Sequence, residues 1–177
     1  MSKESLRKHF LEKRQLVTNA RRQEATKDLL SFLPKIFSRY EKVFSFMSFK
    51  SEIDLLQINQ LLLKENKLYL PAVFENQMEF YKLQSFDDLE KSSFGFLSPK
   101  TSFQTPAVVD QATLILVPGV AFDLYGHRLG FGKGHYDEFF SRAMPCKKIA
   151  VAYKEQLYLA KLPYQDHDRE LDAALFF

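Results

Sequence analysis

Residues 126–137 (Gly126-His127-Arg128-Leu129-Gly130-Phe131-Gly132-Lys133-Gly134-His135-Tyr136-Asp137) carry four of the chain's six glycines, with two fixed cations among them and a carboxylate at the end. Upstream, Leu114-Ile115-Leu116-Val117 reads as a buried strand that stops at Pro118-Gly119. Downstream, Tyr136-Asp137-Glu138-Phe139-Phe140 reads as the first turns of a helix. A glycine-rich loop between strand and helix lets backbone N–H groups approach an anion closely, since no Cβ intervenes. The start of the helix adds unsatisfied donors and a positive dipole end. Arg128 and Lys133 supply the charge that a polyphosphate requires. Asp137 is the discordant member, because a carboxylate beside phosphate is repulsive unless a cation lies between them. Mg²⁺ resolves that conflict, being held by one or two carboxylates and by phosphate oxygens. The residues therefore read as a Mg–nucleotide phosphate site.

A second reading stays open at this level: the glycines make only a tight strand-to-helix turn. Neither standard phosphate fingerprint is present. Gly132-Lys133 is followed by Gly134 rather than Ser or Thr, and in the Gly130, Gly132, Gly134 series the third glycine comes one residue early for G-x-G-x-x-G.

The string Val117-Pro118-Gly119-Val120-Ala121-Phe122-Asp123, followed by Gly126-x-Arg128-Leu129-Gly130-x-Gly132-x-Gly134-x-Tyr136-Asp137, closely resembles the signature of the 5-formyltetrahydrofolate cyclo-ligase (methenyltetrahydrofolate synthetase) family. Lys3 and Arg7 resemble that family's N-terminal Lys-x-x-x-Arg. Leu162-Pro163, His167-Asp168 and Asp172 resemble its C-terminal segment. With motifs at both ends and in order, the resemblance covers nearly the whole chain.

The resemblance implies a three-layer Rossmann-like α/β fold with a mostly parallel sheet, formed as one domain over residues 1–177. It implies ATP as nucleotide, contacted by Lys3, Arg7, Arg128, Leu129, Gly130, Phe131, Gly132, Lys133, Gly134, His135 and Tyr136. Arg128, Lys133 and Tyr136 would be catalytic, and Asp137 and Asp172 would hold Mg²⁺. Met47, Glu52, Phe94 and the stretch Phe131, Gly132, Lys133, Gly134 and His135 would contact the folate. Asp168 is assigned a structural turn. A carboxylate at Glu52 suits the paired donors of an amino-pyrimidinone ring, and an aromatic at Phe94 suits a flat pterin. From the residues alone, Glu52 is a helix N-terminal acid, Phe94 packs under a loop, and Lys3 and Arg7 share a solvated basic face with Lys8 and Arg14.

Two departures from the family pattern stand out. His135 occupies a position where the family usually has Tyr, keeping a flat ring and a donor. Phe96-Leu97-Ser98-Pro99 lacks the acidic residue that many relatives carry before the proline.

Composition bounds the alternatives. At 177 residues, with 46% hydrophobic and 27% charged, the chain is ordinary globular material rather than disordered. Eighteen Phe and no Trp make Phe the bulk core-filler. A net charge of +3 fits a small anionic ligand without calling for nucleic acid. One cysteine, Cys146, excludes an internal disulfide framework and points to a reducing compartment, so a cytoplasmic location is expected. The start lacks an apolar signal core, Glu4 and Glu12 interrupt its basic character, and no apolar stretch approaches the ~20 residues of a membrane span.

Periodicity places helices over 2–17, from Thr18 or Asn19 to about Phe32 with Pro34 marking the end, and over 54–65. Strands are expected at 43–47, 68–70, 78–83 (an edge), 114–117, 148–152 and 173–177. Residues 85–111 show little periodicity, and so long an irregular segment is functional or mobile. Strands alternating with helices give an α/β layered fold whose ligands bind outside the carboxyl ends of strands.

The activity that the resemblance implies is ATP- and Mg²⁺-dependent conversion of 5-formyltetrahydrofolate, polyglutamylated or not, to 5,10-methenyltetrahydrofolate. The chain would act as a monomer on this small molecule, with neither nucleic acid nor membrane as partner. Two rivals are a different ATP-dependent enzyme on the same scaffold and a non-catalytic folate- or nucleotide-binding protein.

Overall fold

The alternation Leu114, Ile115, Leu116, Val117 explains the centre of the molecule, because both faces of this strand are covered. Leu114 and Leu116 join one apolar cluster and Ile115 and Val117 join another on the opposite side of the sheet. A strand buried on both faces reads as a continuous apolar run.

The computed structural model describes residues 1–101 and 104–177. Two helices, α1 (Lys3–Gln15) and α2 (Asn19–Phe37), lead into β1 (Lys42–Phe44), α3 (Leu56–Lys64), β2 (Leu68–Phe74) and β3 (Gln77–Lys82). A small hairpin, β4 (Leu89–Lys91) and β5 (Leu97–Pro99), precedes β6 (Thr113–Val117). A second hairpin, β7 (Ala121–Phe122) and β8 (Arg128–Leu129), leads through the glycine loop to α4 (His135–Arg142), β9 (Lys147–Ala152) and β10 (Ala173–Phe176).

The main sheet has the order β10-β9-β6-β1-β2-β3 and is parallel except for β3, which pairs antiparallel with β2 at the edge. One face packs α2 and α3 through Leu29, Leu33, Ile58 and Leu62. The other packs α4 through Phe139, with Phe44, Phe80 and Phe122 in the same cluster. This is the expected α/β architecture of a mostly parallel sheet flanked by helices. Helix α1 belongs to a third cluster, in which Leu6 and Phe10 meet Val120, Ala121, Leu129 and Leu162. That contact ties the first helix to the β7–β8 hairpin.

Three local expectations are corrected. Helix α2 does not stop at Pro34 but continues to Phe37. Proline removes one backbone donor, yet Ala25, Leu29, Leu33 and Phe37 keep a continuous buried stripe at i, i+4 spacing across it. Strand β1 ends at Phe44, earlier than Met47. Beyond it, the buried amide of Asn59 takes over, accepting from Ser45 Oγ at 2.6 Å and donating to the Phe46 carbonyl at 3.0 Å. Residues 85–111 are not irregular throughout: Ser85 caps a single 3₁₀ turn, Phe86–Asp88, and the β4–β5 hairpin follows.

Candidate active site

A cleft of about 530 Å³ lies outside the carboxyl ends of β1, β2 and β6. Its walls come from the glycine loop (Arg128 to Asp137), from Lys3 and Arg7 of α1, from Phe46 to Glu52 after β1, and from Phe94 and Phe96 at the tip of the β4–β5 hairpin. Four of these segments are distant in sequence.

The glycine loop leads directly into α4. Gly134 caps this helix with φ +73°, and no side chain caps its first N–H groups. Gly132 has φ +95°, a conformation that L side chains avoid, and a Cβ there would lie 3.6 Å from the Arg7 guanidinium carbon. Arg7 Nε in turn donates to the Gly130 carbonyl at 2.8 Å. Helix α1 therefore reaches the loop, and Lys3 and Arg7 are not on a solvated face. Lys3 Nζ pairs with Asp168 Oδ2 at 2.6 Å at the cleft's edge. Asp168, assigned a turn role from sequence, also accepts from Gln165 N, so it does both. Burial pushes the Asp168 carboxyl up, but the Lys3 and Gln165 hydrogen bonds outweigh it and hold the group below the usual carboxylate range.

Arg128 and Tyr136 form the buried end of the loop. The Arg128 guanidinium lies 5.4 Å over the Tyr136 ring and pairs with Asp137 Oδ2 at 2.8 Å. Asp137 Oδ1 accepts from the Arg169 backbone at 3.0 Å. Arg128 Nη1, His135 Nε2 and the Tyr136 hydroxyl are buried with no hydrogen-bond partner among the described residues. Buried polar groups are nearly always bonded, so three orphans on one cleft wall mark a surface built for a polar ligand. Burial raises the Tyr136 phenol well above its ordinary value, against the pull of Arg128, and keeps it a donor. Lys133 is exposed and forms no ion pair among the described residues. Leu129 lines the cleft from within the third core cluster, and its carbonyl is used by Val120 N.

Opposite the loop, Glu52 is only 9% exposed and accepts from Phe49 N at 2.9 Å. Burial raises its carboxyl above the ordinary range, opposed by that hydrogen bond and by Arg14. Met47 lines the same cleft, its sulfur 3.5 Å from Asn59 Nδ2. Phe94 stacks on Phe96, 6.1 Å between centroids at 8°, and meets the His135 ring edge-on at 5.7 Å. The departure at His135 thus forms part of an aromatic wall with Phe94.

Asp172 is not brought to this cleft. It precedes β10, at the amino end of the sheet's parallel strands, where Oδ2 accepts from Lys148 N at 2.7 Å and Oδ1 lies 3.4 Å from Lys147 Nζ. Its distance in fold from Asp137 corrects the expectation of a shared metal site. Among the described residues no group of three or more His, Cys, Asp or Glu could hold a metal. The cleft fits Mg²⁺ only as an ion that takes most of its ligands from phosphate, with Asp137, paired with Arg128, as the carboxylate of the glycine loop.

Sequence reasoning missed Arg14, which is 1% exposed rather than solvated. The available signal was its place on the Lys3, Leu6, Arg7, Phe10 side of α1. It also gave no role to Asp123, whose Oδ1 accepts from Tyr125 N and His127 N and whose Oδ2 accepts from Leu162 N at 2.8 Å and meets His127 Nδ1 at 2.8 Å. An Asx turn at the start of a short hairpin was the readable cue.

The family model described as "5-formyltetrahydrofolate cyclo-ligase family" matches residues 1–176. This chain is an enzyme of the 5-formyltetrahydrofolate cyclo-ligase family. It is 32% identical to the Caenorhabditis elegans protein named probable 5-formyltetrahydrofolate cyclo-ligase, over 80% of this chain and 75% of that one. It is 27% identical to the Escherichia coli K12 5-formyltetrahydrofolate cyclo-ligase, over 86% of each. The NMR structure of Aquifex aeolicus 5,10-methenyltetrahydrofolate synthetase superposes with a TM-score of 0.82 at 35% identity, covering 98% of this chain and 89% of that one. No helix among the described residues is long and apolar enough to cross a membrane.

Proposed function

We propose that this enzyme uses ATP and Mg²⁺ to cyclise 5-formyltetrahydrofolate to 5,10-methenyltetrahydrofolate, releasing ADP and phosphate. The observation that carries the reading is one cleft in which the orphaned donors of the glycine loop face a buried carboxylate, Glu52, and an aromatic wall. The first wall suits polyphosphate and the second suits a pterin. A formamide oxygen is a poor leaving group, so it must be activated. The formyl oxygen attacks the γ-phosphorus and ADP leaves. The neighbouring folate amine then attacks the formyl carbon and gives up its proton, and phosphate departs with the original formyl oxygen.

No covalent enzyme intermediate is needed, so the protein's task is positioning and charge neutralisation. Arg128 Nη1 and Tyr136, kept protonated by burial, donate to phosphoryl oxygens, and the N–H groups at the start of α4 add to them. Lys133, Lys3 and Arg7 supply further positive charge around the polyphosphate. Glu52 accepts from the pterin, while Phe94 and His135 cover its face, with Met47 alongside. Asp137, together with the nucleotide, would hold Mg²⁺, which would supply charge neutralisation of the transferring group. The lone Cys146 fits a reducing, cytoplasmic setting.

The test is to incubate the protein with MgATP and 5-formyltetrahydrofolate while following methenyl product by absorbance and ADP by chromatography. Equal amounts of both, dependent on Mg²⁺, are expected. ADP release indifferent to the folate points to another substrate, and folate binding without ADP points to a sequestering protein.

A further inference from the structure

Arg14 does not line the cleft, yet its side chain touches most of the segments that build it. Nε donates to Ser51 Oγ at 3.0 Å, in the loop that carries Glu52. Nη1 donates to the Gly119 carbonyl at 3.2 Å, in the turn that follows β6. The guanidinium lies 5.4 Å over the ring of Phe131, in the glycine loop, and Nη1 stands 4.0 Å from Glu52 Oε1. From behind, the Arg14 carbonyl accepts from Arg22 Nη2 at 3.2 Å, which joins α2 to the same assembly.

We propose that Arg14 is a positioning residue that fixes the Glu52 carboxylate and the glycine loop in a single frame. The proposal rests on the reading of Glu52 as the folate's acceptor.

A buried cation is costly unless its charge and donors are satisfied, so a guanidinium at 1% exposure in a loop-rich region needs a reason. Its planar fork meets two acceptors at fixed angles, which a lysine ammonium on a flexible stem does not reproduce. Among the described residues it is also the cation within ion-pair distance of Glu52. Besides Glu52, the charged or titratable groups of the two clefts it lines are Arg22, Lys27, Lys50, Asp54 and Tyr153 in a second cleft between α2 and residues 48–57, and Lys3, Arg7, Arg128, Lys133, His135, Tyr136, Asp137, His167 and Asp168 in the main one. Arg22 spends its donors on the carbonyls of Val17, Ser51 and Arg14 and on the Tyr153 hydroxyl. Burial favours the protonated form of Glu52, and Arg14 opposes it. The same burial disfavours the charged Arg14, with Glu52 the largest opposing influence.

Loss of the Arg14 charge has a definite sign. Without it, Glu52 protonates at higher pH, and folate binding that needs a carboxylate is lost earlier as pH falls. The experiment is calorimetric titration of 5-formyltetrahydrofolate into wild type, Arg14→Gln, Arg14→Lys, Glu52→Gln and the Arg14→Gln/Glu52→Gln double variant, between about pH 6 and pH 8. Relative to wild type, Arg14→Gln is expected to lose more affinity at the acid end than at the alkaline end, because burial already favours the protonated Glu52 carboxyl and the opposing charge is gone. That extra slope should vanish in the double variant. Arg14→Lys should keep the wild-type pH profile but bind several-fold more weakly, because the charge remains and the fork is gone. A profile for Arg14→Gln parallel to wild type, with Glu52→Gln weakened, overturns the role of Arg14 while leaving the folate reading intact. Unchanged folate affinity in Glu52→Gln removes that reading and the proposal with it. If Arg14→Gln fails to fold, Arg14→Lys decides: wild-type affinity there overturns the proposal.

Discussion

Arg128 and Asp137 form a 2.8 Å ion pair on the cleft wall, with side-chain exposures of 5% and 19%. The pairing joins the last strand of a hairpin to the first turn of the helix after it. It leaves Arg128 Nη1 buried without a hydrogen-bond partner among the described residues. One nitrogen of the guanidinium thus holds the acid while the other has no partner among the described residues.

This arrangement makes Asp137→Asn informative. The variant should retain its fold and its folate affinity, while turnover falls about 10²-fold or more, in the range seen when one preorganised electrostatic group is removed. The check is steady-state kinetics at limiting Mg²⁺, beside a direct folate titration. Wild-type turnover under those conditions would remove Asp137 from the metal.

Lys133 offers the cleanest test of the phosphate wall, because it makes no internal ion pair among the described residues. Lys133→Ala should weaken ATP by about 1.5–3 kcal/mol, the worth of a charge-assisted contact, and leave folate nearly unchanged. Removing Lys3 and Arg7 together should act in the same direction. Nucleotide titrations read both. Unchanged ATP affinity in the double variant would mean that α1 touches the loop without touching the nucleotide.

Asp172→Asn is expected to behave differently from Asp137→Asn. Its carboxylate serves Lys148 N and Lys147 at the amino end of the sheet. The substitution should cost about 1 kcal/mol of stability, a typical net hydrogen bond, and leave the Mg²⁺ dependence of turnover as in wild type. Chemical denaturation and a Mg²⁺ titration of the rate separate the two roles. A raised Mg²⁺ requirement would return Asp172 to the metal.

Asp123 connects stability to pH. Burial pushes its carboxyl up, but hydrogen bonds from Leu162 N, His127 N, the His127 ring and Tyr125 N outweigh it, so the folded value lies below the ordinary one. A depressed carboxylate contributes stability that is present above the unfolded value and lost as pH falls through the folded value. Asp123→Asn should therefore destabilise the protein by about 1–3 kcal/mol near neutrality. The gap to wild type should close at acid pH, below about 4. Denaturation midpoints across pH test this, and a gap that stays constant into acid would contradict it.

Much of the fold is legible in the sequence because it depends on local pattern. The apolar run at 114–117, the helical spacing of Leu55, Ile58 and Leu62, and the glycine series at 130, 132 and 134 each specify their element with little help from outside. The features that escape a sequence reading depend on tertiary contact. Pro34 reads as a stop, yet the buried stripe through Phe37 carries α2 past it. Arg14 reads as solvated, and only the approach of the Ser51 and Gly119 segments makes its burial tolerable. Asp172 carries a motif match, but the direction of β10 sends it to the sheet's other end. The Phe94–Phe96 stack depends on a hairpin whose strands are three residues long, too short for periodicity to reveal.

The most direct test of the central claim follows the formyl oxygen. The enzyme is given MgATP and 5-formyltetrahydrofolate labelled with ¹⁸O in the formyl group, and the released phosphate is analysed by mass spectrometry. Phosphorylation of that oxygen predicts one ¹⁸O in each phosphate formed alongside methenyl product. Unlabelled phosphate, with the methenyl product still forming, would contradict it.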